Sequence, residues 1–131
     1  MLLTKADGSA FDAGEVSPLF NDITSVTLNT AIAGLSARQR VTTDNIANLE
    51  TAGFHARAVK FEDNLADAVN SQRPAQTRIE NLETCDLPGQ NGNNVNLERE
   101  LITATKTGLQ QKLITGTVTS RFGWMASVLK G

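Results

Sequence analysis

The sequence predicts an all-α fold. Two long N- and C-terminal helices pack as a coiled-coil hairpin, with an irregular, loop-rich middle and a flexible N-terminal arm. Three observations predict it. Spacings of 3 and 4 alternate through Leu28, Ile32, Leu35, Gln39, Thr42, Ile46 and Leu49, the seam of one helix lying along another. The alternation returns through Leu97, Leu101, Ala104, Gly108, Gln111, Thr115, Val118, Phe122, Met125 and Leu129. Between the two runs, Pro74, Pro88, Gly89, Gly92 and a series of asparagines carry turn chemistry.

The elements follow in order. Residues 1–22 mix Gly, Ser, Ala and acids without a period, and read as a flexible arm. A single domain then covers 23–131, with a helix over 23–49, an irregular middle over 50–95 and a second helix over 97–129. The first helix spans about 40 Å and the second about 50 Å at the usual rise per residue. Gly53 breaks the first periodic run. Phe61, Leu65, Ala68 and Val69 share one face of a short amphipathic segment, and Thr77, Ile79 and Leu82 are candidates for extended chain. Asn96 suits the N-cap of the second helix, with Glu98 and Glu100 in the first turn where the helix dipole favours acids. Lys130 and Gly131 suit its end.

Both seams are soft in their centres. Gln39 and Thr42 interrupt the first; Gly108, Gln111 and Thr115 bury little in the second, where threonines at 103, 105, 107, 115, 117 and 119 lower helix propensity. Of 131 residues 40% are hydrophobic, with five Phe, one Trp and no Tyr, and much of that share is alanine. A domain of this size usually buries about two thirds of its chain surface, which here takes help from a partner. Two marginal helices become worthwhile when neighbouring copies cover both faces.

The net charge of −2 leaves no electrostatic footprint for nucleic acid. Charge is uneven along the chain: −3 over residues 1–22, +1 over 23–49, −3 over 50–94 and +3 over 95–131. An acidic middle and a basic end suit head-to-tail packing of copies, weakened by salt. The N-terminus lacks a basic region followed by an apolar run of signal-peptide length. No stretch reaches the roughly 18–20 apolar residues of a membrane span, so direct membrane insertion is not expected.

Catalysis finds no support. The only histidine, His55, sits in a turn with no nucleophile tied to it by a motif, and Cys85 is alone among Asp, Pro and Gly. Glu62 and Asp63 read as a solvated helix face, and the glycines match neither a P-loop nor a dinucleotide fingerprint. No catalytic, cofactor-binding or metal-binding residues are assigned.

The stretch "NIANLETAGF" stands out instead. Asn45 and Asn48 lie three apart on one helix face, close to the seam, although asparagine disfavours helix interiors. One reading is helix fraying before Gly53. The other is that the amides bond backbone groups of a chain crossing that face, locking a turn or a neighbouring subunit in register.

"DNIANLETAGFHAR" resembles the asparagine-rich N-terminal signature of the flagellar axial proteins, matching at Asn45, Ile46, Ala47, Asn48, Thr51, Gly53 and Phe54. It departs at Asp44, where a first Asn is common, and at Ala52, where proline is usual; without that proline the turn is less rigid. The C-terminal block, from Gly92, Asn93, Val95, Asn96, Leu97, Glu98 and Glu100 to the basic, apolar tail "SRFGWMASVLKG", resembles the C-terminal helix of the same family. The flagellar basal-body rod proteins, and among them the proximal-rod type, are most similar. The two blocks cover about two thirds of the sequence.

The resemblance implies a structural subunit of the bacterial flagellar rod, spanning the periplasm and transmitting torque. It implies export by the flagellar type III apparatus, with residues 1–22 as an uncleaved signal, and a tube wall built of coiled coils. The implied partners are other copies, neighbouring rod proteins, the export apparatus and the adaptor joining the rod to the membrane-embedded ring. The motif residues are then turn and subunit contacts. Two alternatives stand beside this reading: another proximal-rod subunit type, and a helical adaptor or chaperone that binds one partner.

Overall fold

The computed structural model describes residues 22–130. The arm read over residues 1–22 therefore lies outside the described residues except for Asp22. Helix α1 runs Ile23–Ala47, strand β1 Arg57–Lys60, helix α2 Glu62–Asn70, a 3-10 turn Pro74–Gln76, strand β2 Glu80–Glu83 and helix α3 Leu97–Lys130. The described residues are mostly helical.

Capping sets the helix limits. The Asp22 carboxylate accepts from the Ser25 amide at 2.8 Å and so starts α1. The helix stops at Ala47, two residues short of the expected Leu49, because the Asn48 amide turns back to donate to the Asp44 carbonyl at 2.8 Å. Asn96 accepts from the Arg99 amide at 3.1 Å at the start of α3. The two long helices lie side by side and antiparallel. Arg121, late in α3, bonds the Asp22 carboxylate at 2.8 Å at the start of α1. At the other end, Glu100 meets Asn45.

The middle corrects the expectation of an irregular segment. Strands β1 and β2 pair antiparallel, with Arg57 opposite Glu83 and Lys60 opposite Glu80, and α2 and the 3-10 turn fill the connection between them. Four-residue strands are too short to show a period of 2. Nor does β2 contain a buried side chain, so no apolar pattern marks it.

Ala31 and Leu35 of α1, Val59 of β1 and Phe61 form the core, bordered by Ala37, Val41, Leu65 and Ile114. Phe61 lies flat on Gly34, where a Cβ would stand 2.7 Å from the ring. The Arg38 guanidinium covers the ring, its centre 5.0 Å from the centroid. It also donates to the Val59 carbonyl at 3.0 Å and pairs with Glu62 at 2.6 Å.

The α3 seam is half as expected, and the buried face of α1 is wider than its expected seam. In α3, Ala104, Gln111, Val118 and Met125 are buried or half-buried on the expected column. The second column falls one residue earlier, at Glu100, Thr107, Ile114, Arg121 and Val128. Leu97, Leu101 and Phe122 are instead 40%, 51% and 44% exposed, and Thr115 is exposed; Gly108 and Leu129 are half-buried. In α1, Leu35 and Thr42 are buried on the expected column, and Leu28, Ile32, Gln39, Ile46 and Leu49 are half-buried. Ala31, Gly34 and Asn45 are buried beside them. The reason is that α1 packs against more than α3. Strand β1, Phe61, α2 and the 3-10 turn also lie against it, so its buried face is wider than a two-helix seam.

Candidate functional site

The asparagine motif lies at a corner where the end of α1, strand β1, the loop over residues 84–96 and the start of α3 converge. Asparagine side chains tie them together. Asn45, 1% exposed, donates from Nδ2 to the Arg57 carbonyl at 2.7 Å and accepts the Arg57 amide on Oδ1 at 3.1 Å. One side chain thus satisfies both backbone groups of a strand residue, as a neighbouring strand would. Seven residues earlier on α1, Arg38 does the same for the Val59 carbonyl. The helix therefore covers the outer edge of β1, while β2 covers the inner one.

Asn48 serves the turn. Thr51 Oγ1 donates to its Oδ1 at 3.1 Å, and the Thr51 amide donates to its carbonyl at 3.1 Å. From the far side of the corner, buried Asn93 donates both Nδ2 hydrogens, to the Asn48 and Thr51 carbonyls at 2.8 Å each. Its Oδ1 accepts the Val95 amide at 2.8 Å, so both donors and the oxygen of this amide are engaged. Asn94, also buried, accepts the Ala56 amide at 2.6 Å and donates to the Asp86 carbonyl at 3.2 Å.

Two glycines let the strands of this corner touch. Gly53 and Gly92 have φ of 74° and 79°, conformations that cost little only without a Cβ. The Gly53 amide donates to the Asn91 carbonyl at 2.8 Å. A Cβ at Gly92 would stand 3.3 Å from the Gly53 Cα. Of the expected motif residues, Asn45 is buried, Ile46, Asn48 and Phe54 are half-buried, and Ala47, Thr51 and Gly53 are exposed.

Charge enters at the start of α3. Glu100 is buried, and desolvation raises its carboxyl above the ordinary glutamate value, against the lowering effects of the Asn45 amide and Arg99. Arg99 bonds Asp86, which holds the Asp86 carboxyl below its usual value. These groups bind structure together, and their geometry offers no nucleophile or paired acid and base. His55 and Cys85 are both exposed. Among the described residues no group of three metal-binding side chains gathers, and no helix is long and apolar enough to cross a membrane.

Sequence reasoning singled out Asn45 and Asn48 and matched Asn93 to a family position, but missed Asn94, Arg38 and Gly34. The run "NGNNVN" carried a signal for Asn94. Arg38 and Gly34 carried none, because their partners are 21 or more residues away in sequence.

The chain is similar to the flagellar basal body rod protein FlgB of Bacillus subtilis (strain 168), 26% identical over 118 residues, which cover 79% of this chain and 91% of that protein. At 26% identity the likeness is modest, and it points to a flagellar rod protein similar to FlgB. FlgB proteins are structural and non-enzymatic. No family model matches the chain.

Proposed function

We propose that the chain is a proximal-rod subunit of the bacterial flagellum, exported by the flagellar type III apparatus and polymerised into the shaft that crosses the periplasm and transmits torque. The observation that carries this reading is the likeness to FlgB over 91% of that protein's length, joined to the corner built on the shared asparagine motif. Residues 1–22 serve as the export signal. Other copies, neighbouring rod proteins and the adaptor to the membrane-embedded ring are the partners, with the exposed motif residues Ala47, Thr51 and Gly53 among the contacts.

The outer face of α3 supports assembly. Ile102, Leu109, Leu113 and Trp124 are 60% or more exposed. Spacings of 7, 4 and 11 put them on one face of the helix, away from the buried column. Large exposed apolar side chains in a row mark a protein contact, and the coiled-coil packing expected of this family would cover them.

Mass spectrometry on basal bodies purified from the native host tests the reading. The chain is expected in a few copies per particle, retained through detergent and alkaline washing. Its absence from intact, rod-bearing particles would sink the reading. In the same cells, replacing Asn45 and Asn48 with alanine is expected to leave export intact and abolish incorporation.

A further inference from the structure

The corner also contains a bond that can rearrange. Asn91 precedes Gly92, the pairing in which an asparagine side chain is most open to attack by the following amide, because glycine places no Cβ in the way. We infer that Asn91 is a deamidation site that the closed corner holds shut and an open corner releases.

The step needs no reagent beyond water. The Gly92 nitrogen loses its proton to solvent and forms a bond to the Asn91 Cγ, and the side-chain nitrogen leaves as ammonia. Water then opens the cyclic imide at either carbonyl. One opening gives aspartate, and the other gives isoaspartate, with an extra methylene in the main chain.

The closed corner opposes this on both sides of the reacting peptide. The Gly92 amide donates to the Gly89 carbonyl at 3.0 Å, so its hydrogen is engaged. The Asn91 carbonyl, on the same peptide plane, accepts the Gly53 amide at 2.8 Å. Rotating that plane to bring the nitrogen onto Cγ breaks both bonds. The side chain is also held, since Asn91 Oδ1 accepts the Asn93 amide at 3.1 Å. Asn93 is in turn tied to the Asn48 and Thr51 carbonyls, so the restraint reaches back to the end of α1.

The product differs from the parent where there is least room. Aspartate retains an acceptor for the Asn93 amide. Isoaspartate lengthens the backbone next to Gly92, where even an added Cβ would stand 3.3 Å from Gly53. A chain that has isomerised cannot re-form the Gly53–Asn91 bond in its present geometry. Opening of the corner is thus recorded in the covalent structure, and a subunit that stays closed is spared.

Peptide mapping of the full chain, incubated at mildly alkaline pH with and without urea, tests this. In urea the peptide containing Asn91 is expected to gain about 1 Da and react as isoaspartate. In the folded chain it is expected to do so roughly tenfold or more slowly, since reaction follows the open fraction. Asn93→Ala, folded by circular dichroism, is expected to fall between. If that variant does not fold, the parent at intermediate urea replaces it, and its rate should climb as the corner opens. Equal rates with and without urea, no reaction in urea, a folded Asn93→Ala chain no faster than the parent, or a rate flat through intermediate urea would each overturn the inference.

Discussion

Replacing Asn45 with alanine tests whether one helix side chain does the work of a strand. The substitution removes two hydrogen bonds, at 2.7 and 3.1 Å, to the carbonyl and amide of Arg57. Each is worth about 0.5–1.5 kcal/mol net, and a backbone group left without a partner costs about 1–3 kcal/mol where water cannot reach it. Arg57 stands at the rim of the fold with an exposed side chain, so water repairs part of that loss. Alanine returns up to about 0.7 kcal/mol through its better helix propensity. The balance is a loss of about 2–3 kcal/mol, large against the 5–15 kcal/mol that typically holds a domain. Asn45→Asp keeps the acceptor for the Arg57 amide but cannot donate to the carbonyl, and it sets a second carboxyl beside Glu100, so it is read in the Glu100→Gln background. Urea unfolding of the full chain gives the energy, and hydrogen exchange at the Arg57 amide gives the location. A loss below about 0.5 kcal/mol, with Arg57 still protected, would refute the argument.

Three further outcomes are expected. Glu100→Gln should stabilise the chain at neutral pH, because burial raises the Glu100 carboxyl above its unfolded value of 4.5. The folded state then holds that proton more tightly, and the stability it confers is lost as pH rises through the folded value; urea midpoints across mild acid should lose this slope in the variant. Gln72 has φ of 57° at the end of α2, where the Arg73 amide bonds the Ala68 carbonyl at 2.7 Å; Gln72→Gly should raise stability by about 0.5–1 kcal/mol in thermal unfolding. Gly34→Ala should lower it by about 1–3 kcal/mol despite the better helix former, because the new methyl meets the Phe61 ring; an unchanged melting temperature would show that the ring moves freely.

Acid should act in opposite directions on different parts of the fold. The Ser25 backbone amide holds the Asp22 carboxyl below its ordinary value, and Arg99 does so for Asp86. For Glu62 the Arg38 bond and its own backbone outweigh desolvation. These carboxylates contribute stability above their unfolded values that is lost as pH falls through the folded ones. Glu100 runs the other way, so its variant is the means of separating the two.

By itself the sequence determined the two long helices and one column of each seam, through Leu35 and Thr42 and through Ala104, Val118 and Met125, because a period near 3.5 is a local property of the chain. It also marked the corner, since Asn45, Asn48 and Gly53 contradict the helix around them. Only the tertiary structure decided the second columns, where Glu100 and Thr107 are buried and Leu101 is not. A pattern that scores apolar side chains cannot rank a glutamate facing an asparagine above a leucine facing water. The hairpin of β1 and β2 was decided there too, since Arg57 finds Glu83 26 residues away and neither strand is long enough to announce a period. The asparagine amides followed the same rule: their types were legible, but their partners exist only once the chain has closed on itself.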